Sequence, residues 1–190
     1  MKKDGVDNID KKRILLLSGG MDSVYLYHLK KKYFDECVFF DYGQKNKKEE
    51  LKRAKKANSD LKIIEMKNLK VNDEGFYFGR NLNFLIKLRE KYIDNDLIIY
   101  IGSNADDSFP DSQREYFYRA EKLINDSYPN RLKVVTPLID KCTHEIFEGL
   151  NEIDENIDFY HCAEGGKEPC GKCFSCSSLK SLGIFEETKR

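Results

Sequence analysis

The sequence predicts an α/β fold, a doubly wound, mostly parallel five-stranded sheet with a small C-terminal helical appendage. Three observations carry that expectation. Short apolar, branched runs alternate with segments whose apolar residues recur at helical spacing. The polar, glycine-bearing stretches fall after these runs, where α/β sheets gather their ligand-binding loops. Four of the six cysteines crowd into the last thirty or so positions, outside the alternating pattern.

Taken in order, the first run (residues 13–17, RILLL) is short and branched enough for an interior strand, and SGGMDS leads from it into a helix over 23–33. Glycines in such a turn adopt backbone conformations closed to other residues, and Asp22 or Ser23 is placed to cap the helix. The exposed N–H groups and positive helix end favour a phosphate. A second strand over 37–41 ends in DYGQ and precedes a helix over 47–58, whose Lys/Glu run at 45–56 reads as a solvated face. A third strand over 61–66 leads to a helix over 81–92. A fourth over 97–101 runs into GSNADD and a helix over 112–125, and a fifth over 132–136 ends in TPL. Phe39, Phe84 and Phe117 fall on these elements as core residues.

Composition narrows the function. With 33 basic and 33 acidic residues in 190, the chain has no bulk charge for holding nucleic acid. No apolar run is long enough to cross a bilayer, and MKKDGVDNIDKKR lacks the apolar core of a secretory signal, so a cytoplasmic protein without a membrane partner is expected. In that reducing setting the cysteines are expected as thiols. Cys162, Cys170, Cys173 and Cys176 are spaced C-x7-C-x2-C-x2-C, with glycines and Pro169 to turn the chain between them. Four thiolates close the tetrahedron of a structural zinc site, leaving it no catalytic position. Residues 1–12 are expected to be a flexible N-terminus, 13–150 the nucleotide-binding domain and 151–190 a zinc-knuckle segment packed on it.

The phosphate turn is neither a Walker A loop, since no lysine follows Gly20, nor a three-glycine dinucleotide fingerprint. Strand-SGGxDS-helix instead resembles the pyrophosphate loop of the N-type ATP pyrophosphatases, whose fold is the adenine nucleotide alpha hydrolase type. The resemblance implies ATP bound by Leu17, Ser18, Gly19, Gly20, Met21, Asp22 and Ser23, with Asp41, Tyr42 and Gln44 from the second loop. From residue 13 to 185 the chain further resembles the 7-cyano-7-deazaguanine synthase (QueC) family: FDYGQ, FGRNLNFL at 78–85, GSNADDSFPD at 102–111, TPL and CGKCFSC stand in the family's order.

What the family does is then implied here. ATP adenylates the carboxylate of 7-carboxy-7-deazaguanine, ammonia forms an amide, and a second ATP activates the amide oxygen, whose loss leaves the nitrile of a queuosine precursor. Asp22, Arg80 and Lys141 are the expected catalytic residues, with Mg²⁺ held by Asp22 and Asp106 or Asp107. Phe78, Arg80, Asn81, Asp106, Asp107, Phe109 and Asp111 are the expected substrate contacts, Asp111 accepting from the base. Many relatives are dimers, so a homodimer is compatible with the resemblance.

The chain departs from the family where PDCR becomes PDSQ with Arg114 one position on, where Lys141 stands two residues before the expected lysine position, and where Phe78 replaces a proline. These changes surround the acceptor pocket and raise an alternative: a ligase that stops at the amide or joins the activated deazaguanine to an amine of a nucleic acid or protein. A non-catalytic nucleotide-binding module is the reading from another class, and pyrophosphate release separates it from both.

Overall fold

The computed structural model describes residues 11–66, 77 and 79–184. Five strands, β1 (Lys11–Leu16), β2 (Glu36–Asp41), β3 (Lys62–Glu65), β4 (Asp96–Tyr100) and β5 (Leu132–Val135), form one sheet in the order β3-β2-β1-β4-β5. Every neighbouring pair is parallel, as the alternating pattern requires. Strand β1 starts two residues before the expected position because Lys11 and Lys12 pair with Asp96 and Leu97 of β4.

Successive residues of the central strands point to opposite faces, and each face is covered. Leu15 and Phe39 enter the core under α1 (Met21–Leu29), α2 (Lys47–Ala57) and α5 (Thr143–Ile153), with Val24, Leu26, Ala54, Ile146 and Leu150. Ile14 and Val38 enter the opposite core under α3 (Arg80–Lys91) and α4 (Arg114–Ser127), with Phe84, Leu85, Leu88, Phe117 and Ile124. Phe39, Phe84 and Phe117 are buried as expected. Helix α1 is buried on most of its circumference because α5 packs over it, with Tyr25 reaching Gly149.

Two elements lie beyond the periodic pattern: α5, which buries Ile146 and Leu150 one turn apart, and α6 (Phe174–Ser181), which carries the last cysteine. The first helix also ends earlier than expected, at Leu29, and the chain continues through a 3₁₀ turn at Lys31–Tyr33. Arg89 is fully buried in α3 and donates to the carbonyls of Asn95 (2.7 Å), Tyr92, Arg131 (3.3 Å) and Asn130 (3.4 Å). It joins the end of α3 to the turns that introduce β4 and β5, replacing solvation with four backbone acceptors. Among the described residues no helix is long and apolar enough to cross a membrane.

Candidate active site

A cleft opens above the carboxyl ends of β1, β2 and β4, where the chain winds outward in both directions from β1. Its floor is the SGGMDS turn. Gly19 has φ +85°, and a Cβ there would lie 2.1 Å from the carbonyl oxygen of Glu50, so only glycine lets the turn rest on α2. The expected cap is corrected: Gly20, not Asp22 or Ser23, occupies the N-cap of α1. The Ser23 hydroxyl folds back instead, accepting from Gly19 N–H (3.2 Å) and donating to Gly20 O (3.0 Å), while Ser18 Oγ accepts from Gly20 N–H (3.2 Å). The two serines thus set the turn's shape and leave the first-turn N–H groups of α1 facing the cleft.

Asp22 projects into this cleft. Its Oδ2 accepts from Asn104 Nδ2 at 3.1 Å, and its Oδ1 is buried with no hydrogen-bond partner. Burial raises its pKa to about 7 against the opposing Asn104 bond, and the nearby Asp107 and Asp106 add to the rise.

The second wall comes from the DYGQ turn. Gln44 is buried, accepting from Tyr42 N–H (3.0 Å) and donating to Phe40 O (3.0 Å), so its side chain fixes the turn. Asp41 pairs with Lys47 at 2.5 Å and stays outside the lining. The charge run assigned to solvent contains a residue that lines the cleft: Glu50 accepts from Asn46 Nδ2 (2.9 Å) and Gln44 Nε2 (3.4 Å). Burial raises its pKa to about 7, opposed by those two bonds and by Arg80. The run at 45–56 is therefore not simply a solvated face, since Glu49 and Ala54 are buried as well.

The third wall starts at α3. Arg80 is held in the lining against the Tyr42 hydroxyl and close to Asp111 and Asp107, with its Nε buried and without a partner. Asn81 is buried and braces the wall, its amide donating to Asp111 O (2.8 Å) and its backbone N–H to Asp111 Oδ2 (3.3 Å). Phe40 and Phe84 stack at 4.2 Å beneath it. Phe78 lies outside the described residues.

The expected site residues separate along these lines. Ser18, Gly20, Asp22, Ser23, Tyr42, Gln44, Arg80, Asn81 and Asp107 line the cleft, whereas Gly19, Leu17 and Met21 support it from the buried side. Asp106 accepts from the Thr143 N–H at 2.7 Å and so satisfies a free first-turn N–H of α5, whose N-cap is Cys142. Asp111 is committed to the first turn of α3. Phe109 is 42% exposed, and neither it nor Lys141 is among the lining residues. The displaced Arg114 pairs with Asp140 (2.7 Å) on the surface.

The sulfurs of Cys162, Cys170, Cys173 and Cys176 all lie within 4.8 Å of one another. Backbone N–H groups point at two of them, Cys170 N–H at Cys162 Sγ (3.3 Å) and Cys173 N–H at Cys170 Sγ (3.2 Å). Such donors favour thiolate, and the Cys170 thiol is lowered to about 6 by the Lys172 and Cys173 N–H groups. This donor set fits a closed structural zinc site. The segment leading into it is fastened to the cleft: Tyr160 N–H donates to Gly19 O at 2.9 Å, and a Cβ on Gly165 would lie 2.1 Å from Lys45 O.

Comparison with known proteins places this geometry among relatives. The family model described as queuosine biosynthesis protein QueC matches residues 12–75 and 72–184. A 7-cyano-7-deazaguanine synthase of Persephonella marina is 32% identical over 213 residues, covering 90% of this chain and 93% of that one. The enzymes of the same name from Acetivibrio thermocellus and Aquifex aeolicus are each 29% identical, covering 93% and 92% of this chain and 96% and 94% of their own. Among solved structures, the NMN synthetase of Francisella tularensis aligns at 15% identity with a TM-score of 0.47, over 92% of this chain and 73% of that chain, too distant to bear on function.

Proposed function

From the premise that this chain belongs to the QueC family, we propose that it is an ATP-dependent carbon-nitrogen ligase that converts 7-carboxy-7-deazaguanine and ammonia to 7-cyano-7-deazaguanine. The observation that carries this reading is the convergence, over the SGGMDS turn, of an unpartnered Asp22 oxygen and an unpartnered Arg80 Nε in one cleft. A carboxylate oxygen waiting for a cation and a guanidinium waiting for an anion are what a polyphosphate and a carboxylate substrate require together.

The β and γ phosphates sit against the first-turn N–H groups of α1, with Ser18 and Ser23 holding the turn beneath them. Asp22 and the neighbouring Asp107 are the donors for Mg²⁺, which when bound spreads the charge of the phosphates. Arg80 orients the substrate carboxylate so that one oxygen attacks the α-phosphorus as the bond to pyrophosphate breaks. Adenylation replaces a poor leaving group by AMP, and ammonia then displaces AMP from the acyl carbon to give the amide. A second ATP takes up the amide oxygen in the same way; the C–O bond breaks, the nitrogen loses its protons, and the nitrile remains. Both carboxylate oxygens leave on AMP, so no side chain has to act as a covalent nucleophile. Positioning and electrostatics carry the catalysis, in a cleft walled by Phe40, Tyr42 and Phe84.

The positions of single residues in the cleft shape the roles proposed for them. Asp106 and Asp111 act through the backbone they brace, while Asp107 keeps a place beside Asp22. The four cysteines hold zinc as a structural ion that anchors the segment fastened to Gly19. The test is the mass of the product formed from ATP, Mg²⁺, ammonium and 7-carboxy-7-deazaguanine, with pyrophosphate followed in parallel. Nitrile with two pyrophosphates per turnover is expected. Accumulated amide would assign the chain to the shorter reaction, and absence of pyrophosphate would overturn the ligase reading.

A further inference from the structure

Among the described residues three carboxylates line the cleft: Asp22, Asp107 and Glu50. Asp22 and Asp107 lie near one another beside the phosphate turn, the arrangement of a cation site. Glu50 stands on the β2 side with a different company of Phe39, Phe40, Tyr42 and Gln44. A carboxylate offers about four acceptor positions over its two oxygens. Asn46 occupies one on Oε1 and Gln44 one on Oε2, so each oxygen of the braced carboxylate keeps a further acceptor position.

We propose that Glu50 reads the base: its braced carboxylate accepts two adjacent N–H donors of a guanine-type edge, while Arg80 beside it takes the carbonyl and carboxylate that follow along the same ring system. The inference rests on the function proposed above and deepens it by assigning the base-reading residue. The chemistry matches in order. A carboxylated deazaguanine presents an exocyclic amine, a ring N–H, a carbonyl and a carboxylate in sequence along one side, that is, two donors followed by two acceptors. The cleft presents an acceptor pair at Glu50 and a neighbouring donor at Arg80, whose field reaches Glu50 and whose Nε is buried without a partner. An adenine edge, one donor beside one acceptor, leaves one Glu50 oxygen facing a lone pair. Asp111, expected for this task, is committed to Asn81 and is absent from the lining.

The test is isothermal titration of the full chain with 7-carboxy-7-deazaguanine, with the analogue lacking only the 2-amino group, and with a non-hydrolysable ATP analogue. The unaltered chain is expected to bind the amino-bearing base about 10- to 100-fold more tightly than the analogue, since a buried acceptor loses its donor. Glu50→Gln is expected to erase that preference while leaving the ATP analogue's affinity unchanged, which also certifies the variant's fold. Equal affinity of the unaltered chain for the two bases overturns the proposal without reference to any variant. A preference that survives in Glu50→Gln overturns it, and so does a variant that loses the ATP analogue instead, because Glu50 then reads the nucleotide. The two readings fail separately. Base preference without nitrile formation removes the proposed product and keeps Glu50; nitrile formation with the preference intact in Glu50→Gln removes Glu50 and keeps the product; binding of neither base removes both.

Discussion

Gly19 and Gly43 have nearly the same backbone conformation, φ +85° and +83°, in opposite surroundings. An added Cβ at Gly43 meets nothing within 4 Å, whereas at Gly19 it would lie 2.1 Å from Glu50 O and 3.0 Å from Ala54 N. Alanine at either position incurs the left-handed backbone penalty of roughly 1–2 kcal/mol. Only Gly19→Ala adds overpacking against helix backbone, which costs about 1–3 kcal/mol more because α2 and the phosphate turn must separate. For a chain of this size each kcal/mol lowers the melting temperature by about 2–4 °C. Calorimetric melting is therefore expected to put Gly43→Ala roughly 2–8 °C below the parent and Gly19→Ala a further 2–12 °C lower, using those same increments. A displacement of about 1 Å at a positioning loop is enough to cost on the order of 100-fold in rate, so pyrophosphate release should fall about that far in Gly19→Ala. If Gly19→Ala melts with Gly43→Ala and keeps the parental rate, the contact with α2 does not shape the phosphate turn.

Other outcomes are equally specific. Asp22 is a carboxyl whose pKa is raised on folding, to about 7 from 3.8, so the folded state binds more protons than the unfolded one between those values. The stability attached to it is greatest at low pH and is lost as pH rises toward about 7; Asp22→Asn should therefore melt higher than the parent at pH 8 while abolishing pyrophosphate release. Because Asp22 and Glu50 both titrate near 7, pyrophosphate release should climb from pH 6 to pH 8, and Glu50→Gln should leave only the limb belonging to Asp22. Arg80→Lys keeps the charge but loses the planar fork, and is expected to raise the KM for the carboxylate substrate at least about 10-fold. Removing metal with a chelator, or replacing Cys173 by serine, should weaken binding of the ATP analogue several-fold although Cys173 lies outside the cleft, with metal content read by mass spectrometry.

The local chemistry of the sequence announced some of this site and was silent on the rest. SGGMDS and the four cysteines were legible because each does its work within a few consecutive residues. The five strands were legible because a sheet covered on both faces demands continuous apolar runs such as Ile14 to Leu17 and Val38 to Phe40. Glu50 was not, since it sits in a run of lysines and glutamates and enters the cleft only when Gln44 folds back and Gly19 lets α2 approach. The three aspartates of GSNADDSFPD posed a similar problem. Which of them faces the ligand depends on distant captors: Thr143 takes Asp106, Asn81 takes Asp111, and Asp107 is left for the cleft. Arg89 reads as one more helix-surface charge until four carbonyls from two separate turns converge on it.

The bond from Tyr160 to Gly19 has a bearing on how the protein is made. The phosphate turn is among the first parts of the described chain to leave the ribosome, yet its carbonyl finds a partner roughly 140 residues later. In a chain synthesised from its N-terminus this bond cannot form until Tyr160 has been translated, after all five strands. A nascent or prematurely terminated chain can therefore possess the parallel sheet, and still lack the finished seat for a triphosphate. On the proposed function, a chain ending before Tyr160 lacks the donor to Gly19 O and is expected to release pyrophosphate more slowly than the full chain.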